Sequence, residues 1–171
     1  EVVLPVKTVR TDVSVINGRI SAIGNEIPDV GEVIDADGLF LLPGIIDPQV
    51  HCREPGANHK EDLHSGSCAA AAGGVTSLLD IPNNTPPVIT RQRMQEKKQL
   101  AAEKSVVNYG FFMGATPNNL EELNAVENVC GIKIFMGSST GDLLVDDSDV
   151  LEKIFANGSR LIAVHAEDES V

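Results

Sequence analysis

Three segments of the sequence carry side chains whose chemistry suits a metal ion or a charged substrate. In the first, Gln49, His51 and Arg53 occupy alternate positions. If this segment is extended, the three side chains share one side of the chain and Cys52 lies on the other. A neutral imidazole binds divalent metals, and a guanidinium pairs with a carboxylate. The spacing therefore predicts a metal ligand next to a substrate-binding cation, with Cys52 packed towards the core.

The second and third segments each place one chemically active residue in or after an apolar run. Lys133 lies inside the run 131–137, and His165 follows the run 161–164. A lysine in a buried strand is costly unless its charge is paired or removed. Burial lowers the pKa of the amine, and a neutral amine can react with carbon dioxide to give an anionic carbamate. Two metal ions could hold that carbamate in place.

Each of these residues also has a structural interpretation. A single histidine at the end of a strand is more often structural than a metal ligand. Three candidate ligands on three different strands, namely His51, Lys133 and His165, favour a metal site instead. His59 and His64 follow the first of these strands in a loop and a helix, and we expect them to be structural.

The elements that must position these residues fall into two regions. The first 42 residues predict a small β domain, with a hairpin around Asn17-Gly18 and a further short strand within 27–37. From residue 41 onward, short apolar runs alternate with helical stretches. The expected strands are 41–50, 77–81, 106–113, 132–136 and 161–164. The expected helices are 61–72, 91–104, one capped by Thr116 before Pro117, and one starting at Asp147 or Ser148.

Five strands that alternate with four helices predict a parallel α/β architecture with right-handed crossovers. Two arrangements fit: an open doubly wound sheet, or the first five strands of a (β/α)8 barrel. The sequence stops where a helix should follow the fifth strand, which is typical of a truncated chain. In both arrangements the candidate residues lie at the carboxyl ends of the strands, where the active sites of such folds gather.

Composition excludes several classes of partner. The sequence of 171 residues has 13 Lys and Arg against 25 Asp and Glu, for a formal net charge of −12. This balance argues against nucleic acid or an anionic membrane as a partner. No apolar stretch reaches the roughly 20 residues of a membrane span, and the first residues do not resemble a signal peptide. Cys52, Cys68 and Cys130 are far apart, which fits a reduced, cytoplasmic setting.

The motifs resemble those of the cyclic amidohydrolases, and most of all the dihydroorotases. Segment 43–56 (PGIIDPQVHCREPG) resembles the first-strand signature of that family. Segments 73–77 (GGVTS) and 81–86 (IPNNTP) resemble the second strand and the loop after it. Segments 131–141 (GIKIFMGSSTG) and 164–168 (VHAED) resemble the fourth and fifth strands. The matches occur in the family order across nearly all of residues 41–168.

The resemblance implies that residues 43–171 form the first part of an amidohydrolase (β/α)8 barrel. It also implies that residues 1–42 form part of a small β-sandwich domain. It implies two divalent metal ions, usually zinc, bridged by a carboxylated Lys133. His51 and His165 match metal ligands, whereas Arg53 and Asn83 match residues that hold the substrate carboxylate. The implied reaction is the reversible hydrolysis of L-dihydroorotate to N-carbamoyl-L-aspartate in pyrimidine synthesis. A homo-oligomer or a transcarbamoylase partner is also implied.

Two features depart from the family pattern. The usual first-strand motif has two histidines, but Gln49 replaces the first, and an amide oxygen is a weaker ligand. The family's last histidine ligand and its proton-shuttling aspartate belong to later strands, which these 171 residues do not contain. We therefore expect the 171 residues alone to be catalytically inactive and poorly stable.

Several alternatives remain open at the level of sequence. Hydantoinases and allantoinases share the lysine and the fifth-strand histidine, although Arg53 followed by Glu-Pro-Gly favours an acidic ring substrate. A non-catalytic homologue that serves as a scaffold or partner subunit would explain Gln49 and the missing aspartate. An independent open-sheet binding protein is the third interpretation.

Overall fold

The computed structural model describes residues 1–27, 31–137, 143–157 and 160–167. The chain divides into two compact units, Glu1–Gly44 and Ile45–Val171. Among the described residues, no helix has both the length and the hydropathy of a membrane span.

Two antiparallel hairpins make up the strands of the first unit. Their strands are β1 (Val2–Leu4), β2 (Lys7–Val9), β3 (Asp12–Ile16) and β4 (Arg19–Gly24). The β3–β4 hairpin confirms the sequence prediction, since Asn17 and Gly18 have φ angles of 51° and 72°. Two successive positive φ angles are typical of the type I′ turn that Asn-Gly favours. The β1–β2 hairpin was not predicted, because strands of three residues are too short to show alternation.

The strand predicted within 27–37 is wrong for the part of it that the structure describes. Residues 31–37 contain no strand, and Ile34 is 81% exposed. The backbone N–H of Asp37 donates to the Asp35 carboxylate at 2.9 Å. Such local bonds between a side chain and the backbone compete with strand pairing and favour a turn.

The second unit is a five-stranded parallel sheet with helices between the strands. Its elements are β5 (Ile45–Val50), α1 (Leu63–Ala72), β6 (Val75–Asp80), α2 (Arg91–Lys104), β7 (Asn108–Gly114), α3 (Leu120–Ala125), β8 (Gly131–Phe135), α4 (Ser148–Asn157) and β9 (Ile162–His165). The strands lie side by side in chain order. A doubly wound sheet reverses its strand order at a switch point, so this order favours the barrel over the open sheet.

Both faces of this sheet bury apolar side chains. One face, here called the helix face, packs strand residues against helix residues; its buried members include Phe111, Met113, Ile132 and Ile134 with Leu63, Met94, Ala101, Leu123 and Ile154. The opposite face carries a second cluster, which contains Ile81, Phe112, Phe135 and Leu143. Burial on both faces explains why these strands read as nearly continuous apolar runs.

Most helix boundaries follow local capping. The Asp62 carboxylate accepts the Ser65 N–H at 2.7 Å in a capping box before α1. The predicted cap at Thr116 is wrong, because α3 begins only at Leu120. The side chain of Asn119 instead accepts the Thr116 N–H at 2.8 Å, which closes a turn ahead of the helix.

Candidate functional site

The three predicted metal ligands lie on the same face of the sheet, towards its carboxyl edge. Lys133 precedes Phe135 by two residues, and His165 is the register partner of Phe135 on the next strand. Phe135 belongs to the cluster on the face opposite the helices, so Lys133 and His165 share that face. Cys52 is 1% exposed within the helix-face cluster, so its neighbour His51 lies on the same face as Lys133 and His165. The structure brings Lys133 and His165 together on adjacent strands, whereas β6 and β7 lie between them and β5.

Lys133 is a buried amine without an acidic partner. Its residue is 3% exposed, and its Nζ lies 5.2 Å from the centroid of the Phe135 ring. It forms no salt bridge with any residue that the structure describes. Desolvation lowers the pKa of Lys133 below its ordinary value. This shift is in the direction that the carbamate hypothesis requires.

His51 is oriented by Asn83, the residue predicted to hold the substrate. The His51 Nδ1 lies 2.8 Å from the Asn83 Oδ1. An amide oxygen only accepts hydrogen bonds, so this contact selects the imidazole tautomer that has its proton on Nδ1 and its lone pair on Nε2. A partner on the second ring nitrogen is what metal-binding imidazoles use to fix their orientation. Among the described residues, the Asn83 amide nitrogen donates no hydrogen bond, so both of its donors are available. The sequence did not predict this contact.

His165 stacks on the aromatic ring that also contacts Lys133. Its ring centroid lies 6.3 Å from that of Phe135, with an interplanar angle of 30°. Its Nε2 is 3.5 Å from Glu167 Oε1, and the Glu167 side chain is 65% exposed. Phe135 thus supports both candidate ligands on β8 and β9. Residues 138–142 and Asp168 of the matched motifs lie outside the described residues.

The backbone of Arg53 is held by hydrogen bonds, whereas its guanidinium has no partner among the described residues. Its N–H donates to the Glu61 carbonyl at 3.1 Å, and its carbonyl accepts the Ala57 N–H at 2.8 Å. Within the described ranges the guanidinium makes neither an ion pair nor a hydrogen bond. A fixed backbone with a free guanidinium suits recognition of a carboxylate. Gln49 is exposed on β5, and only its backbone N–H is fixed, by Asp47 at 3.0 Å.

The turn after Arg53 depends on a glycine. Gly56 has a φ of +110°, and a Cβ there would lie 2.1 Å from the Thr85 carbonyl oxygen. We expect Gly56→Ala to lower the free energy of unfolding by roughly 2–4 kcal/mol, since strain and collision add. Urea unfolding of the natural protein that carries this sequence measures it. Gly74→Ala is the matched control, since its φ is +81° but nothing lies within 4 Å. Equal costs for the two variants would contradict the collision.

The other histidines and the cysteines take no part in this edge. His59 is exposed, and the His64 Nδ1 lies 3.1 Å from the Lys104 carbonyl oxygen. All three cysteines are free, and burial raises the pKa of the Cys52 thiol to about 12. Cys52 is therefore an inert core residue, as predicted.

A buried ion pair that the sequence did not predict lies on the helix face. Lys97 Nζ is 2.6 Å from Asp80 Oδ2, and both side chains have no solvent exposure. Lys97 also donates to Asn84 Oδ1 at 2.7 Å. Burial lowers the pKa of Lys97 and raises the pKa of Asp80, while the attraction between the two charges opposes both shifts. The sequence placed this lysine in a Gln- and Lys-rich helix but did not predict that it is buried or paired.

The donor set at the carboxyl edge fits a divalent metal only in part. Two imidazoles and a lysine that can become an anion are the chemistry that zinc accepts. Among the described residues, however, no group of three or more His, Cys, Asp and Glu side chains converges on one point. The described residues therefore include candidate ligands that do not by themselves converge as a metal site.

Comparison with known proteins assigns the family. A family model described as dihydro-orotase-like matches residues 38–171. The chain is 38% identical over 166 residues to an allantoinase of Deinococcus radiodurans, covering 92% of this chain and 37% of that protein. It is 41% identical over 162 residues to a dihydroorotase of Methanosarcina acetivorans, covering 91% of this chain and 34% of that protein.

A solved structure shows the same fold. L-hydantoinase from Arthrobacter aurescens superposes with a TM-score of 0.85 at 30% identity, covering 99% of this chain and 40% of that one. The chain therefore spans 34% to 40% of the length of these relatives. Its five parallel strands correspond to the first part of the amidohydrolase barrel. The chain belongs to the dihydroorotase-like family of cyclic amidohydrolases.

Proposed function

We propose that the natural protein hydrolyses a cyclic amide, and specifically that it interconverts L-dihydroorotate and N-carbamoyl-L-aspartate in pyrimidine synthesis. The observation that carries this proposal is Lys133, a buried amine with no acidic partner among the described residues, on the strand next to that of His165. Burying an amine without a charged partner costs free energy. That cost is understandable if the amine is carboxylated and serves a site.

His51, His165 and carboxylated Lys133 would hold two divalent metal ions, which we take to be zinc. When bound, the metals would polarise the ring carbonyl and lower the pKa of the attacking water. The hydrogen bond between Asn83 and the His51 Nδ1 would orient the ring and leave Nε2 available to the metal. Arg53 and the Asn83 amide nitrogen would bind the substrate carboxylate and orient the ring, which is the positioning part of catalysis.

We further propose that the 171 residues alone are inactive, because the resemblance assigns the proton-transferring aspartate to a later strand of the barrel. In the same proposal, residues 1–42 are part of a small β domain and 43–171 are part of the barrel. The setting is cytoplasmic, in keeping with three free thiols. A homo-oligomer or a complex with a transcarbamoylase is the proposed assembly.

The substrate is tested by direct comparison. Zinc-loaded natural protein is assayed with dihydroorotate, allantoin and hydantoin at equal concentrations. We expect the highest kcat/KM with dihydroorotate, since its carboxylate can pair with the free Arg53 guanidinium. Allantoinase is the second candidate, because a curated allantoinase is 38% identical to this chain. A higher kcat/KM with allantoin would select it, and absence of turnover with all three would favour a non-catalytic homologue.

Gln49 provides a separate test of the metal site. We expect Gln49→His to raise the zinc content per chain, because imidazole binds zinc more strongly than an amide oxygen does. Metal content is measured by elemental analysis after dialysis. Gln95→His is the matched control, since Gln95 is an exposed residue of α2 and the change introduces the same imidazole away from the candidate ligands. Unchanged zinc content in Gln49→His would show that position 49 does not contact the metal.

A further inference from the structure

Lys97 joins two side chains that hold the segment carrying His51 and Arg53. Its Nζ is 2.6 Å from Asp80 Oδ2 and 2.7 Å from Asn84 Oδ1. The same ammonium lies 4.9 Å from the centroid of the Phe111 ring. Its residue is 1% exposed, so none of these contacts is shared with bulk water.

The two partners of Lys97 bind the backbone on both sides of Cys52. Asp80 Oδ1 accepts the Cys52 N–H at 2.9 Å. Asn84 Nδ2 donates to the Cys52 carbonyl at 3.1 Å and to the Glu54 carbonyl at 2.9 Å. A peptide unit is planar and includes the Cα atoms of both its residues. Fixing these units therefore fixes the Cα atoms of His51 and Arg53.

Asn84 also follows directly after Asn83, which orients the His51 ring. Holding Asn84 by two backbone carbonyls and one ammonium restrains the backbone from which Asn83 projects. The candidate metal ligand, its orienting amide and the candidate substrate cation thus all depend on the same buried group.

We infer that Lys97 is a positioning residue, which fixes His51, Asn83 and Arg53 from the helix face through Asp80 and Asn84. This inference rests on the proposed function of that edge. A buried ion pair is a poor way to stabilise a fold, because well-packed apolar residues of similar volume are as good or better. A positioning role explains the buried ion pair, since the residues of a functional site must be held within about 0.5 Å of their productive arrangement.

The test uses three variants of the natural protein. Lys97→Met leaves the Asp80 carboxylate buried and unpaired, and that variant alone would confuse misfolding with misplacement. The double variant Asp80→Asn/Lys97→Met removes both charges and keeps an oxygen to accept the Cys52 N–H. Lys98→Met is the matched control, because Lys98 is the next residue of α2, is half-buried, and donates to the Glu127 carbonyl at 3.0 Å rather than to Asp80 or Asn84.

We expect the double variant to unfold near the parental urea midpoint and yet to have impaired function. Its kcat/KM should fall by about 10–100-fold, since a displacement of about 1 Å costs up to 10²-fold. Its zinc affinity, measured by chelator competition, should fall by about 10-fold, as for other groups that orient metal ligands. In the metal-free protein, amide exchange across 49–54 should be faster than in the parent, while Lys98→Met matches the parent throughout.

Two results separate the inference from the proposed function. If the parent hydrolyses cyclic amides and the double variant keeps parental kcat/KM, zinc affinity and exchange, Lys97 is merely structural and the inference is overturned. If the parent hydrolyses none of the substrates but exchange across 49–54 is still faster in the double variant, the positioning role stands and the proposed function fails.

Discussion

Replacing Lys133 by methionine should abolish hydrolysis and make the metal-free protein more stable. The amine is 3% exposed and has no acidic partner in the described part of the chain. Methionine fills a similar volume without a charged group, so the free energy of unfolding of the metal-free protein should rise by about 1–3 kcal/mol. Loss of the carboxylated lysine should lower kcat/KM by about 1000-fold or more. At 1.36 kcal/mol for each tenfold change, this equals roughly 4 kcal/mol of lost transition-state stabilisation.

Urea unfolding is measured on the metal-free natural protein, and zinc content and kcat/KM are measured on the zinc-loaded protein. Lys153→Met is the matched control, because Lys153 is an exposed residue of α4. It should leave all three quantities near the parental values. A Lys133→Met protein with parental zinc content and kcat/KM would show that Lys133 is a core residue only. A less stable variant would show that its amine makes a favourable contact.

In the metal-free protein, where Lys133 is an amine, the same residue makes the stability depend on pH. Desolvation lowers the pKa of Lys133 in the folded protein, whereas the unfolded chain keeps a value near 10.5. Between these two pKa values the unfolded state binds more protons, so the contribution of Lys133 to stability rises with pH. Lys133→Met should remove this rise, and Lys153→Met should not.

Most of the sheet was predictable because its strands are buried on both faces. The runs 77–81, 132–136 and 161–164 predicted β6, β8 and β9 to within two residues at either end, and the prediction of helix 91–104 matches α2. The failures lie where polar side chains bond to nearby backbone. Asn119 rather than Thr116 organises the approach to α3, and Asp35 forms a turn where a strand was predicted.

The face of the site was predictable from alternation, whereas its support was not. His51, Lys133 and His165 have the predicted face because a strand has a period of two. Lys97 lies in a helix whose composition predicts solvent exposure, yet it is 1% exposed. Its charge is paired with Asp80 of β6, and the two residues meet only because β6 and α2 pack together. Such pairs depend on packing between elements far apart in sequence, and no local pattern reports them.

Arg53 should decide between acidic and neutral ring substrates. Its guanidinium is uncommitted among the described residues, while its backbone is held by Glu61 and Ala57. We expect Arg53→Met to lower kcat/KM for dihydroorotate by about 100–1000-fold, since a charge-assisted pair with the carboxylate is lost. Turnover of hydantoin, which has no carboxylate, should change by less than about 3-fold on the same grounds.

Arg53→Lys distinguishes charge from geometry at this position. Lysine keeps the positive charge but lacks the planar fork that binds a carboxylate through two parallel bonds. Its kcat/KM for dihydroorotate should therefore lie between those of the parent and Arg53→Met. Arg19→Met, which changes an exposed residue of β4, is the control and should leave both substrates unaffected. Equal losses for dihydroorotate and hydantoin in Arg53→Met would mean that Arg53 supports the site without reading the substrate's charge. The selectivity that separates dihydroorotases from allantoinases would then have to come from other residues.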